Sequence, residues 1–277
     1  MPSYSLTAVN VGSFPLGESD KVLTLFSAER GLTRAVAKGA RKPGTKIAGR
    51  ADVLKVNKLL VASGRSLDII TQAETLESYS DLRDDLTRLS YALYYAELTS
   101  QFGQGLHDES QAFFAYLCEA LKLQAQAEHD PSLLCLQFEM HLLDLLGYKP
   151  EIDFCVICRK TITDSSVSAF DHELGGIICA SCFAAAHGKQ RHLVSQETGT
   201  YLDEPIAPLS YKTHVTPLVW KGLVLANRGL TEGKHGHVQT SAHMVKASAA
   251  ACKLVQTYIE HKAGRRMKAL ALLESHS

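Results

Sequence analysis

Two short cysteine pairs, Cys155-Val-Ile-Cys158 and Cys179-Ala-Ser-Cys182, stand 20 residues apart and constrain this chain more than any other feature of it. Each pair sets two thiols on one tight turn, and two such turns facing each other form a tetrahedral four-sulfur site. Four protein ligands leave no position for water or substrate, so the expected metal, one Zn2+ per chain, is structural. The 28 residues from Cys155 to Cys182 are too few to bury a core, and a metal supplies what packing does not. A redox centre needs one reactive pair opening a helix in an α/β unit. A zinc deaminase needs H-x-E and P-C-x-x-C, but His172 and Glu173 are adjacent and Ile178 precedes Cys179. His187 is a weaker substitute ligand. The other three cysteines, Cys118, Cys135 and Cys252, sit in apolar helical patterns and read as inert core thiols.

The periodicity changes along the chain. Before residue 80, Tyr4, Leu6 and Ala8 alternate with polar neighbours, Val22–Ser27 and Leu32–Lys38 flank a turn ending in Gly31, and Val53–Ala62 and Leu67–Ala73 flank Ser63-Gly64-Arg65. Five short strands at this spacing predict an all-β OB-fold barrel over 1–80. From residue 81 the period is helical. Leu82, Leu86, Leu89, Leu93 and Ala96 form one stripe, and Phe113, Leu117, Ala120 and Leu121 mark a second helix. A third runs from Pro131 to Gly147, with Asp130 as its N-cap and His141 on a polar, partly exposed position. The fold class expected is multi-domain: the barrel, a helical bundle over 81–151, a four-cysteine element over 152–192, and a C-terminal helical part over 193–277. His235-Gly236-His237 reads as a surface turn.

Charge follows the same divisions. The balance is +4 over 1–80, −8 over 81–151 and +4 over 152–277, although the whole chain has 29 basic and 29 acidic residues. Within the first segment the bases concentrate at Arg30, Arg34, Lys38, Arg41, Lys42, Lys46 and Arg50, followed by Lys55 and Lys58. From Arg34 to Arg50 there are six bases and no acid. A solvated face usually mixes signs. A one-sign run across a Gly/Pro/Thr loop beside a strand suits a phosphate backbone.

Catalytic machinery is missing from the sequence, and no enzyme is expected. Gly39-x4-Gly44 has the glycine spacing of a phosphate loop, but Thr45-Lys46 follows where Lys and then Ser/Thr are required. There is no Gly-x-Ser-x-Gly elbow and no H-E-x-x-H pair. No apolar run approaches the ~18–20 residues that span a bilayer, and the start, MPSYSLTAVNVGSFPLG, lacks a basic region and a long apolar core. A cytoplasmic protein with no membrane partner is expected.

Several fragments together resemble one family. They are Glu18-Ser-Asp-Lys-Val-Leu-Thr-Leu-Phe-Ser, Glu29-Arg-Gly, Ala35-Val-Ala-Lys-Gly-Ala-Arg41, Phe138-Glu-Met-His-Leu-Leu-Asp-Leu-Leu-Gly-Tyr148, and Tyr258-Ile-Glu-His-Lys-Ala-Gly-Arg-Arg-Met-Lys-Ala. In this order, with the cysteine pairs between the last two, they are similar to the RecO family of bacterial recombination mediators. The resemblance implies a DNA-binding OB-fold, a helical domain with an embedded zinc element, and nucleoid association. It further implies binding of single- and double-stranded DNA, annealing of complementary strands, and loading of recombinase onto protein-coated single strands. RecR and the acidic, apolar-ended tail of the single-strand DNA-binding protein are the implied partners, with recombinase reached indirectly. Carried over by position, Arg34, Lys38, Arg41 and Lys42 fall in the cationic region. The tail would meet cations of the C-terminal helices, namely Lys246, Lys253, Arg265, Arg266 and Lys268. Arg30–Lys58 contains no aromatic residue, so backbone binding with little base stacking is expected. The alternative is a protein-interaction adaptor whose basic loop only assists.

Overall fold

The computed structural model describes residues 2–186, 212–231 and 241–274; His187 and the turn His235-Gly236-His237 lie outside them. The chain divides into two compact units, Met1–Phe138 with Arg266–Ser277, and Glu139–Arg265. The division falls inside one helix.

The first unit is built on five strands, β1 (Ser3–Leu16), β2 (Asp20–Ser27), β3 (Gly31–Ala37), β4 (Val56–Ala62) and β5 (Asp68–Glu77). They close into a barrel in the order β1-β2-β3-β5-β4. All pairings are antiparallel except β3 with β5, which is parallel and joins only Ala35↔Asp68 and Val36↔Ile69. This is the OB-type barrel that the alternation before residue 80 predicts. Alternation also sets the core: Leu6, Ala8, Leu23, Leu25, Ala35, Ala37, Leu59 and Val61 face one another inside it.

Between β3 and β4 the chain departs from expectation. A short helix, α1 (Lys46–Arg50), stands where an uninterrupted loop into a strand at Val53 is expected. Ala40 and Ala51 are buried in the barrel core and Ile47 packs against it. The basic segment is therefore partly a core element. Its far end is clamped by two buried amides: Asn10 Nδ2 donates to the carbonyls of Arg50 and Asp52 at 2.9 Å, and Asn57 Nδ2 donates to that of Arg50 at 3.0 Å.

Three helices follow the barrel: α2 (Leu86–Phe102), α3 (Ser110–Ala125) and α4 (Pro131–Leu145). Leu82, expected to open the first of them, lies in a 3-10 turn before it. Asp85 caps α2 by accepting from the Arg88 N–H at 3.1 Å. Phe26 of β2 and Phe113 of α3 meet edge to face at 5.3 Å, and a Cβ on Gly103 would lie 3.2 Å from the Phe26 ring and 3.3 Å from Leu32. That close approach seats the helices on the barrel. The buried Arg88 guanidinium donates to the carbonyls of Gln124, Gln126, Ala127 and His129, satisfying the end of α3 and the turn beyond it. Asp130 caps α4 through Leu133 N–H at 2.7 Å, and Gly147 follows that helix in the left-handed conformation, as the sequence predicts.

The second unit holds a small sheet in the order β7-β6-β8, where β6 is Val167–Asp171, β7 is Gly176–Cys179 and β8 is Lys212–His214. Two helices, α5 (Pro217–Thr231) and α6 (Ala242–Ala263), cross closely. A Cβ on Gly222 would stand 2.4 Å from the Ala247 carbonyl and 2.9 Å from Ala251 Cβ. Tyr258 of α6 packs its ring on Phe170 at 5.2 Å and donates to the Tyr148 carbonyl at 3.1 Å, while Trp220 of α5 donates to that of Ile152 at 2.9 Å. A last helix, α7 (Lys268–Glu274), belongs to the first unit; Glu97 accepts the N–H groups of Lys268 and Ala269 at its start.

Candidate nucleic-acid interface and metal centre

The four cysteines come together. Their sulfurs all lie within 4.8 Å of one another, and Cys158 and Cys179 are 3.7 Å apart. Zn–S bonds of ~2.3 Å directed to the corners of a tetrahedron require roughly 3.8 Å between sulfurs. A disulfide, at ~2.05 Å, is a different geometry.

Local hydrogen bonding builds this arrangement. The first turn is closed by Arg159 N–H to the Cys155 carbonyl at 2.9 Å and by Cys155 N–H to that of Lys160 at 2.8 Å; Arg159 takes a positive φ of 59°. The turn docks on β7 through Val156 N–H to the Ile177 carbonyl at 2.9 Å. A Cβ on Gly176 would lie 2.5 Å from Val156 and 2.7 Å from the Glu151 carbonyl, so only glycine admits this approach. The second pair lies where β7 passes into the helical residues 180–186.

Thiol electrostatics point the same way. At Cys155 burial opposes ionisation, but N–H groups of Cys158, Cys179 and Ile157 outweigh it and hold the thiol below its ordinary range. Cys179 is drawn down to about 6; burial opposes this, and the Ser181 hydroxyl and Cys182 N–H overcome it. Cys182 is pushed up to about 12, by desolvation first and then by the neighbouring sulfurs. Four sulfurs this close do not all ionise without a cation among them. The donor set and spacing can hold a metal ion. Of the remaining thiols, Cys135 and Cys252 are buried as a core reading expects, whereas Cys118 is only partly buried; desolvation raises its pKa to about 11.

The basic residues of the barrel occupy a continuous stretch. Arg30 and Arg34 are exposed on β3 and the turn before it; Lys38, Arg41 and Lys42 are exposed in the following turn; Lys46 is exposed at the start of α1 and Arg50 is half-buried at its end. None of the seven makes an ion pair with a described acidic group, whereas Lys55 pairs with Asp52 at 3.8 Å. Arg30 lies over the Tyr4 ring, 3.6 Å from its centroid, and Tyr4 in turn donates a hydrogen bond to Asp68. Asp20 accepts from Gly39 N–H at 2.8 Å, and Arg41 N–H donates to the Ser19 carbonyl at 2.9 Å. The segment is thus fastened to the β1–β2 turn at one end and to Asn10 and Asn57 at the other.

Two features escape a reading of Arg30–Lys58 alone. Phe14 and Leu16, two residues apart on β1, are 44% and 41% exposed, and they immediately precede the turn to which the basic segment is tied. Their signal in the sequence is an apolar pair around Pro15 just before Gly17.

The five C-terminal cations are all exposed: Lys246 and Lys253 on α6, Arg265 and Arg266 after Gly264, and Lys268 on α7. Lys246, Lys253 and Arg265 fall in the second unit, Arg266 and Lys268 in the first. No helix among the described residues is long and apolar enough to cross a membrane.

Comparison with known proteins agrees with this architecture. Residues 1–79 match the family model described as recombination protein O N terminal, and residues 83–197 that described as recombination protein O C terminal. The chain is 36% identical over 182 residues to the DNA repair protein RecO of Gloeobacter violaceus, covering 66% of this chain and 69% of that one. With the RecO of a Nostoc strain it shares 28% over 292 aligned positions, 99% of this chain and 96% of that protein. With that of a Cyanothece strain it shares 40% over 163 residues, which span 58% of this chain and 55% of that one.

Proposed function

The chain belongs to the RecO family, and from that premise we propose a non-enzymatic protein of DNA repair and recombination that grips phosphate backbones through the basic segment of its barrel. The observation that carries this reading is the run from Arg30 to Arg50, whose seven cations make no ion pair with a described acid and are held on a segment anchored at both ends. Backbone contacts are indifferent to sequence. They serve single and double strands alike, and by neutralising phosphate they let two complementary strands approach, which is what annealing requires. Loading of recombinase onto protein-coated single strands follows from the same grip combined with two protein contacts, RecR and the tail of the single-strand binding protein. The exposed C-terminal cations, Lys246, Lys253 and Arg265 on the second unit and Arg266 and Lys268 on the first, are each of the charge that an acidic tail would meet.

Cys155, Cys158, Cys179 and Cys182 would hold Zn2+ as a closed four-thiolate site, which supplies folding free energy and offers no position for chemistry. A cytoplasmic, nucleoid-associated location accords with this role.

The test is binding and annealing by the purified chain across a salt series. If the six cations from Arg34 to Arg50 each neutralise a phosphate, single-strand affinity should fall with a log-log slope of roughly −4. Reversing Lys38, Lys42 and Lys46 to Glu should abolish annealing. Annealing that survives this change, or a slope near zero, would favour the adaptor reading.

A further inference from the structure

We propose that Phe14 is a stacking platform for an unpaired base, set beside the phosphate-gripping segment so that the barrel holds single-stranded nucleic acid by base and backbone together. This rests on the reading of the basic segment as a phosphate interface and adds to it a contact that only an unpaired strand can satisfy.

Register places the ring. Leu23 and Leu25 face the barrel core, so Val22 and Thr24 face outward. Directly opposed residues share a face. Phe14 opposes Val22 and Gly12 opposes Thr24 on one side of β2; Val36 and Arg34 oppose the same two residues on the other. Outside the barrel this gives a row Phe14–Val22–Val36 and, beside it, a row Gly12–Thr24–Arg34; Val22, Thr24 and Val36 are buried, and Phe14 and Arg34 are the exposed ends of the two rows. Arg34 lies two strands across and two residues along from Phe14, about 12 Å on the diagonal. Gly12, two residues before Phe14 on the same face, adds no side chain next to the ring and leaves room for a flat group. Leu16, two residues beyond, extends the apolar surface toward the turn.

The turn brings the cations. Arg41 Nη1 donates to the Gly17 carbonyl at 2.6 Å, Arg41 N–H to that of Ser19 at 2.9 Å, and Gly39 N–H to Asp20 at 2.8 Å. Lys38, Arg41 and Lys42 are thereby fixed to the end of the hairpin that bears Phe14 and Leu16. An exposed aromatic ring on a hairpin whose turn, despite its acids Glu18 and Asp20, is tied to three exposed cations complements one class of polymer, in which a flat π-face and an anion repeat together. A duplex keeps its bases stacked inside and offers the ring nothing, so the occupant is a single strand.

Binding of a thymidine oligonucleotide, of the same strand with abasic sites, and of a duplex, each followed by anisotropy over a salt series, tests this on the full chain. Phe14→Ala should weaken thymidine-strand binding by about fivefold or more, leave the salt slope unchanged, and leave duplex and abasic strand bound as by the parent. Phe14→Trp should restore affinity and show fluorescence quenching by the thymidine strand and none by the abasic one. Phe14→Ala affinity equal to the parent's, an equal loss on all three ligands, or a Phe14-dependent self-association seen by sedimentation would each overturn the proposal. If the parent itself shows no salt slope, the phosphate reading fails instead, and the two failures are told apart.

Discussion

Arg41 Nη1 donates to the carbonyl of Gly17 at 2.6 Å, so the basic residue at the centre of the candidate interface is also the one that ties it to the β1–β2 turn. A substitution there removes both a charge and a fastening. Arg41→Ala should lower stability by about 0.5–1.5 kcal/mol, whereas Lys42→Ala with Lys46→Ala, both exposed and unpaired, should leave the melting temperature unchanged and flatten the salt slope by about 1.4. Thermal melts beside salt titrations separate the two effects.

Asn57 is wholly buried and bonded to the Arg50 carbonyl, to Asn10 and to Thr75. Asn57→Leu strips these partners without opening a cavity. Denaturant unfolding should show a loss of about 1–3 kcal/mol, and hydrogen exchange should rise first in residues 46–55.

Cys179→Ser should release the bound metal and lower the melting temperature of the second unit, because structural zinc is worth on the order of 10 kcal/mol in small fingers. Metal analysis of the fresh parent should give one equivalent of zinc per chain. Less than half an equivalent would remove the basis for the site.

His172 is buried with Nε2 on the Thr213 hydroxyl at 2.8 Å and Nδ1 without a partner among the described residues. Desolvation above all, then the neighbouring His261, and Lys262 more weakly, hold its pKa below the ordinary value against the pull of Asp171. The unfolded chain therefore takes up the proton more readily. Stability from this group is full above the unfolded value near ~6.5 and is lost as pH falls toward the lower folded value. His172→Gln should flatten the pH dependence of unfolding in that window.

How legible these sites are depends on how local their determinants are. The four cysteines declare themselves because two ligands per turn leave a fixed spacing, and the strands because alternation is a property of adjacent residues. The helix α1 does not. Five residues with Gly49 among them carry no period, and what holds them is Ala40, Ile47 and Ala51 against the core and two asparagines over 40 and 7 residues away. Phe14 is hidden for a related reason: its place beside the cations comes from strand register and from Arg41, neither of which is written near it.

The barrel closes between β3 and β5 through two residue pairs, while each of its other seams joins seven or eight. A closure this short should be where the cylinder opens first, at a free energy below that of global unfolding. Because Lys38 follows β3 directly, each opening event frees one bank of the basic segment while its other end stays clamped on Asn10 and Asn57. Amides of Ala35–Ala37 and Asp68–Ile70 should then exchange faster than those of β1 and β2, and a bound strand, by bridging the two banks, should slow them.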